Sequence, residues 1–223
     1  MMDSLINING NNVQTLEVLF LTTIIALLPS ILVMTTSFSR YIISFSFLRI
    51  AMGTQQTPPN IVLIGISLFL TLFTMGPTLE RVQQEAYEPY VAEEISQEVF
   101  VERASVPMKD FMIKNTKTST IQMFCDLADK PMPETVSVES LRELPMRIIV
   151  PAFMTHELQR AFEIGFLLFL PFMLLDIVVS ATLMSMGMIM LPPSMISMPF
   201  KLLLFVTVNG WELLFTSLVQ GFN

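Results

Sequence analysis

Apolar and polar residues fall into long separate blocks along this chain. Residues 18–39, 50–79 and 177–200 carry no ionisable side chain, and about 20 apolar residues in a helix are enough to cross a hydrocarbon core of roughly 30 Å. The pattern predicts an irregular, asparagine-rich start and then a first apolar helix from Leu16 to Met34, bent at Pro29. No basic region precedes that helix, so it is expected to be a retained span and not a cleaved signal. The apolar stretch Tyr41–Leu48 is too short to span and is expected to pack or re-enter. A second span is predicted over Ile61–Leu79, ended by Gly76-Pro77. Thr155 is expected to cap a third helix, with Glu157 in its first turn, that passes Pro171 and Asp176 and reaches Met190. Phe200–Val219 supplies the last apolar segment.

A polar insert separates the two apolar halves. Val91, Ile95 and Val99 recur at i, i+4 and i+8, which predicts a one-sided helix interrupted by Pro89. Ser105 with Pro107 is expected to start a second helix, and Ile121, Phe124 and Ala128 mark the face of a third. Pro131, Pro133, Pro145 and Pro151 stiffen the remainder. The expected organisation is an N-terminal helical hairpin over 1–79, a polar helical insert over 80–155 and a C-terminal helical hairpin over 156–223. The fold class is therefore an all-α membrane protein, with about four long apolar helices arranged as two hairpins.

Charge sets an orientation for that arrangement. Between positions 35 and 60 the only charges are Arg40 and Arg49, both positive, which puts this connection on the cytoplasmic side and the insert outside, with both termini. The 223 residues are 52% hydrophobic and 14% charged, which excludes an ordinary soluble domain. The net charge of -7 is concentrated in residues 80–163, which hold 15 acids against 9 bases. Nothing in this pattern provides a nucleic-acid-binding surface.

Enzyme chemistry finds no support. Cys125 and His156 are each the only residue of their type, so neither a disulfide nor a multi-histidine metal site is expected, and no metal or cofactor is predicted. His156-Glu157 opens like a zinc-protease helix, but Arg160 stands where the second histidine would be. No nucleophile elbow or phosphate-binding loop is present.

Three features remain as candidate sites. Met184–Lys201 holds six methionines, three prolines and one lysine between apolar runs. Thioether side chains adapt to variable shapes, and Pro192-Pro193 stops a helix, so this turn suggests a seal or gate. Methionine also fills irregular core gaps, and Met184, Met186, Met188 and Met190 offer soft ligands for Cu(I) transport, although no Cys or His accompanies them. The second feature is Gly53–Asn60, GTQQTPPN, whose polar groups, including Gln55 and Gln56, need partners at membrane depth. The third is the set of charges in apolar surroundings, Asp176, Lys201 and Glu212. Each costs about 2.5–3.5 kcal/mol on insertion scales unless it is paired, hydrated or able to snorkel.

Two stretches, Phe38–Asn60 (FSRYIISFSFLRIAMGTQQTPPN) and Phe162–Trp211 around DIVVSATLMSMGMIMLPPSMISMPFK, together resemble the FliP family of flagellar export-gate proteins, related to the SctR proteins of injectisomes. The GTQQTPPN wording is similar to flagellar members more than to injectisome ones. The resemblance implies a subunit of the type III export gate in the inner membrane at the flagellar basal body. There several copies would assemble with FliQ and FliR into a helical channel for unfolded flagellar proteins, beside FlhA, FlhB and rod-side components. It implies that Met188, Ile189 and Met190 form a gasket shaped by Pro192 and Pro193. Many relatives have three consecutive methionines there, and Ile189 departs from that pattern. It also implies that assembled subunits sit largely above the bilayer plane, where neighbouring protein can bury Arg40, Arg49, Gln55, Gln56 and Asp176. Within this frame Glu157 and Lys201 are expected to pair.

Overall fold

The apolar blocks become helices because a helix satisfies its own backbone polar groups where water is scarce. The computed structural model describes residues 5–8, 11–133 and 135–222. It opens with an antiparallel hairpin, β1 (Leu5–Ile8) and β2 (Asn11–Gln14), in which Leu5 faces Gln14 and Ile8 faces Asn11. This corrects the expected irregular start. The asparagine-rich composition hid an Asn9-Gly10 dipeptide, a strong short-range hairpin signal.

Helix α1 (Thr15–Thr35) contains Pro29, and its Ile25–Thr35 portion lies at 73° to α2 (Phe38–Met52). Helix α2 buries Tyr41, Phe45 and Leu48. Helix α3 (Asn60–Val82) does not stop at Gly76-Pro77 as predicted. Gly76 lacks the Cβ that would clash with the following proline ring, and Met75 is buried beside it, so the rod continues. It passes through a five-residue π-helical stretch, Gln83–Tyr87, into α4 (Glu88–Val91).

The insert differs in detail from its predicted pattern. Val91, Ile95 and Val99 do not share a helix, because Glu93 adopts φ +58° and ends α4; its N–H bonds Tyr90 O, and the N–H of Glu94 bonds Pro89 O. Ser96 then caps α5 (Gln97–Lys114), which runs unbroken through Ser105 and Pro107. Helix α6 (Thr118–Leu127) buries Ile121 and Cys125, with Phe124 half-buried and Ala128 exposed beyond its end. A single turn, α7 (Val138–Leu141), is closed by a capping box between Ser137 and Ser140.

Helix α8 (Met146–Ser185) begins behind Pro145, not at Thr155, which is exposed in mid-helix. Burial of Ile148, Ile149, Ala152 and Phe153 on one face holds the early turns despite Pro151. The helix also ends short of Met190. Beyond it, α9 (Pro193–Thr207) and α10 (Gly210–Gln220) meet at 65°, with Asn209 at φ +51° in the break.

Among the described residues, Asn60–Val91 and Met146–Ser185 are long and apolar enough to cross a membrane. The bent pairs, the end of α1 with α2 and α9 with α10, raise the number to four if each is one span. Apart from the terminal hairpin, the chain is an all-α membrane protein. Positions 79–80 and 155–156 lie inside continuous helices, so insert and hairpins share rods. The core has two parts. One gathers Met75, Phe111, Ile121, Leu144, Ile149 and Phe153 under the insert. The other gathers Tyr41, Phe45, Leu63, Phe172, Phe205 and Leu214 between the hairpins. Phe222 packs against both.

Candidate functional site

The methionine-rich turn is built by its two ends. Gly187 adopts φ +77°; its N–H bonds Met184 O at 3.1 Å, and the N–H of Met188 bonds Leu183 O at 3.0 Å. These are the paired bonds of a glycine-terminated helix, and they stop α8 before Met190. At the far end Pro192 takes the N-cap position and Pro193 the first position of α9, where a missing N–H costs nothing. Between these stops Met188, Ile189 and Met190 are 44%, 83% and 98% exposed. The arrangement presents an apolar tip with no reactive group, suited to excluding water from whatever surface it meets.

Two ion pairs brace the helices behind this turn, and both correct the expected pairing of Glu157 with Lys201. Lys201 is buried, and its Nζ donates to Asp176 Oδ2 at 2.7 Å and to Ala51 O at 3.0 Å. Asp176 Oδ1 also accepts from Ser197 Oγ at 2.6 Å. Asp176 on α8 and Ser197 and Lys201 on α9 therefore clamp the hairpin below its tip. Ala51 adds a carbonyl from the last turn of α2, where helical acceptors lack partners. Glu157 instead meets Arg40, which donates from Nε to Oε2 at 2.8 Å and from Nη2 to Oε1. The correction follows from position. Lys201 and Asp176 face each other across one hairpin, whereas Glu157 lies about five turns further along α8, level with the start of α2.

The remaining predicted polar residues divide. Arg49 is half-buried, with Nη1 near Pro58 O at 3.4 Å and bonded to Asn60 Oδ1. Gln55 and Gln56 are exposed on the single chain, where a neighbouring subunit could still cover them. The GTQQTPPN turn satisfies itself locally, with Thr54 Oγ1 donating to Thr57 O, so its amides project outward. Glu212 is exposed as well. Cys125 is buried in the insert core, and burial pushes its thiol up, which keeps it protonated.

A third charge cluster escaped the sequence reading. Asp110 on α5 is buried and accepts from Arg142 Nε and Nη2, the latter at 2.7 Å, and from Arg81 Nη1 at 2.9 Å. Burial alone would raise the Asp110 carboxyl, but the hydrogen bonds and charges of Arg142 and Arg81 override it and hold the group below its ordinary value. Lys109 adds bonds to Arg142 O and Leu144 O, tying the connector to α5. Residues 29 and 32 positions from Asp110 make these contacts, and no local pattern announces them.

The chain is similar in sequence to several known proteins. The chain is 49% identical over 214 residues to the flagellar biosynthetic protein FliP of Aquifex aeolicus, covering 96% of this chain and 88% of that one. It is 48% identical to the Pectobacterium carotovorum protein of the same name, covering 96% and 82%. It is 46% identical to that of Bacillus subtilis, covering 94% and 92%. The profile of the FliP family matches residues 21–218, which include both braces and the methionine-rich turn. On these matches the chain belongs to the FliP family, whose named members are flagellar biosynthetic proteins.

Proposed function

We propose that this chain is a pore-forming core subunit of the flagellar type III export gate. Several copies assemble with FliQ and FliR, beside FlhA, FlhB and rod-side components, and conduct unfolded flagellar proteins across the inner membrane at the basal body. The carrying observation is the exposed apolar tip Met188-Ile189-Met190 on a braced hairpin. An apolar constriction blocks water and ions by dewetting, and methionine reshapes around a passing chain with little strain. Ile189, stiff at its branched Cβ, still seals but adapts less. The chain supplies a conduit, and the energy for transport comes from elsewhere in the apparatus.

The test replaces Met188, Ile189 and Met190 together by glycine and measures ion leakage across the membrane of cells that are not exporting. Leakage with normal assembly is expected. Unchanged impermeability with normal assembly would favour a scaffold with no pore of its own.

A further inference from the structure

Among the described residues, five of the eight exposed methionines fall between positions 184 and 195, around the turn that joins α8 to α9. Met52, Met75 and Met112, by contrast, are buried in the two cores. The two groups differ in chemistry as well as in packing. A thioether that solvent reaches can take an oxygen atom from a peroxide and become a sulfoxide, whereas one sealed in a core is shielded.

A peroxide usually meets a thiolate first, because the thiolate is the better nucleophile. This chain has one cysteine, Cys125, which is buried in the insert core with its thiol held protonated. The thioethers that solvent reaches are then the chain's oxidisable atoms, and they are concentrated at the turn. Met188 and Met190 lie at its tip.

The local structure lets oxidation alter this tip without unfolding it. The turn is held by backbone bonds at Gly187, by Pro192 and Pro193, and by the clamp of Lys201, Asp176 and Ser197, none of which uses a methionine side chain. What changes is the surface. A sulfoxide is polar and accepts hydrogen bonds from water, whereas the thioether sheds water. Ile189 has no sulfur to oxidise, so one apolar side chain remains between the two modified ones.

An apolar constriction seals by dewetting, and polar groups on its wall hold water in it. We infer that Met188 and Met190 are a reversible modification site, at which oxidation to sulfoxide admits water and ions through the seal; this rests on the gasket reading above. A gasket in a channel has a wet side, from which a small neutral peroxide reaches it. In the forward step a sulfur lone pair attacks a peroxide oxygen, the O–O bond breaks, an S–O bond forms and the second oxygen leaves as water. Sulfur loses two electrons and the peroxide gains them. In the return step a dithiol-dependent methionine sulfoxide reductase removes the oxygen as water, and the dithiol becomes a disulfide.

The assembled gate is reconstituted in phosphatidylcholine vesicles and treated with hydrogen peroxide. Peptide mass spectrometry reads the sulfoxide at each methionine, and ion flux reads the leakage of the closed gate. Met188 and Met190 should be oxidised while Met52, Met75 and Met112 are not, and leakage should rise about tenfold. Reductase with dithiothreitol should return it to the untreated level. Each variant is compared with its own untreated baseline: M188L/M190L should show no rise, and M184L/M186L/M195L should show the wild-type rise. Unoxidised Met188 and Met190, or a rise that survives in M188L/M190L, would overturn the inference. Sulfoxide at both positions without a rise would overturn it too. The variant M188G/I189G/M190G then separates the two readings, since leakage there keeps the gasket and its absence removes the gasket as well.

Discussion

Arg40 and Glu157 form a buried, two-pronged ion pair between α2 and α8. Arg40 is used on every side: Nη1 donates to Gly221 O at 2.9 Å, and the guanidinium stacks 3.5 Å from the centroid of the Phe222 ring. Stranding one charge of such a pair costs about 3–5 kcal/mol, whereas replacing both by apolar groups of similar volume is often neutral. Arg40→Met and Glu157→Leu should each lower the thermal unfolding midpoint sharply in detergent. The double variant should recover most of the loss. Two single variants as stable as wild type would contradict a structural role for the pair.

Lys201 and Asp176 give a test that separates this clamp from the pairing the sequence suggested. Lys201→Asp should impair assembly, and Asp176→Lys in the same chain should restore much of it, read as yield of the purified complex. Glu157→Lys should give no rescue, because its carboxylate serves Arg40. Rescue by Glu157→Lys alone would point back to a Glu157–Lys201 contact.

Asp110 makes the insert acid-sensitive. Its folded-state pKa is depressed, so the stability it contributes is fully present above its unfolded value, about 3.9, and is lost as pH falls through that value toward the folded one. Protection factors of amides along α5, exchange rates corrected for their intrinsic pH dependence, should fall on acidification through that window. Asp110→Asn should remove this acid step while lowering stability at neutral pH. An acid step that survives unchanged in the Asp110→Asn variant would locate it in another carboxylate.

Gly165 lets α8 pass against α2. A Cβ at this position would overlap the ring of Phe47, which is itself held edge-on by Phe162 and Phe169. Gly165→Ala should cost about 1–3 kcal/mol, measured by thermal unfolding. Phe47→Ala should absorb part of that cost, so the double variant should lose less than the sum of the single losses. Strict additivity would mean that the two residues do not touch.

Much of the fold was legible because hydropathy and helix length are local properties: the apolar blocks of α1, α3, α8 and α9 stand out in the sequence. What misled was punctuation. Pro77 read as a stop, Pro107 as a helix start and Pro151 as part of a stiff connector, yet each sits inside a helix whose buried face outweighs one lost hydrogen bond. Gly187 was the true stop of α8, and a glycine followed by a proline pair was the available signal. The methionine tip was legible from composition, since no neighbour is needed to recognise it. The charge partners were not, because Lys201 meets a carbonyl 150 positions away and Arg40 a carboxylate 117 away.

Phe222 packs against both core clusters, and Gly221 beside it accepts from Arg40 across 181 positions. Synthesis at about 5–20 residues per second puts roughly 10–40 s between the emergence of Arg40 and that of its last partner. Through that interval Tyr41 and Phe111, the ring neighbours of Phe222, have no lid, and the two cores cannot close around them. Closure of both cores therefore waits until residues 221 and 222 have been made.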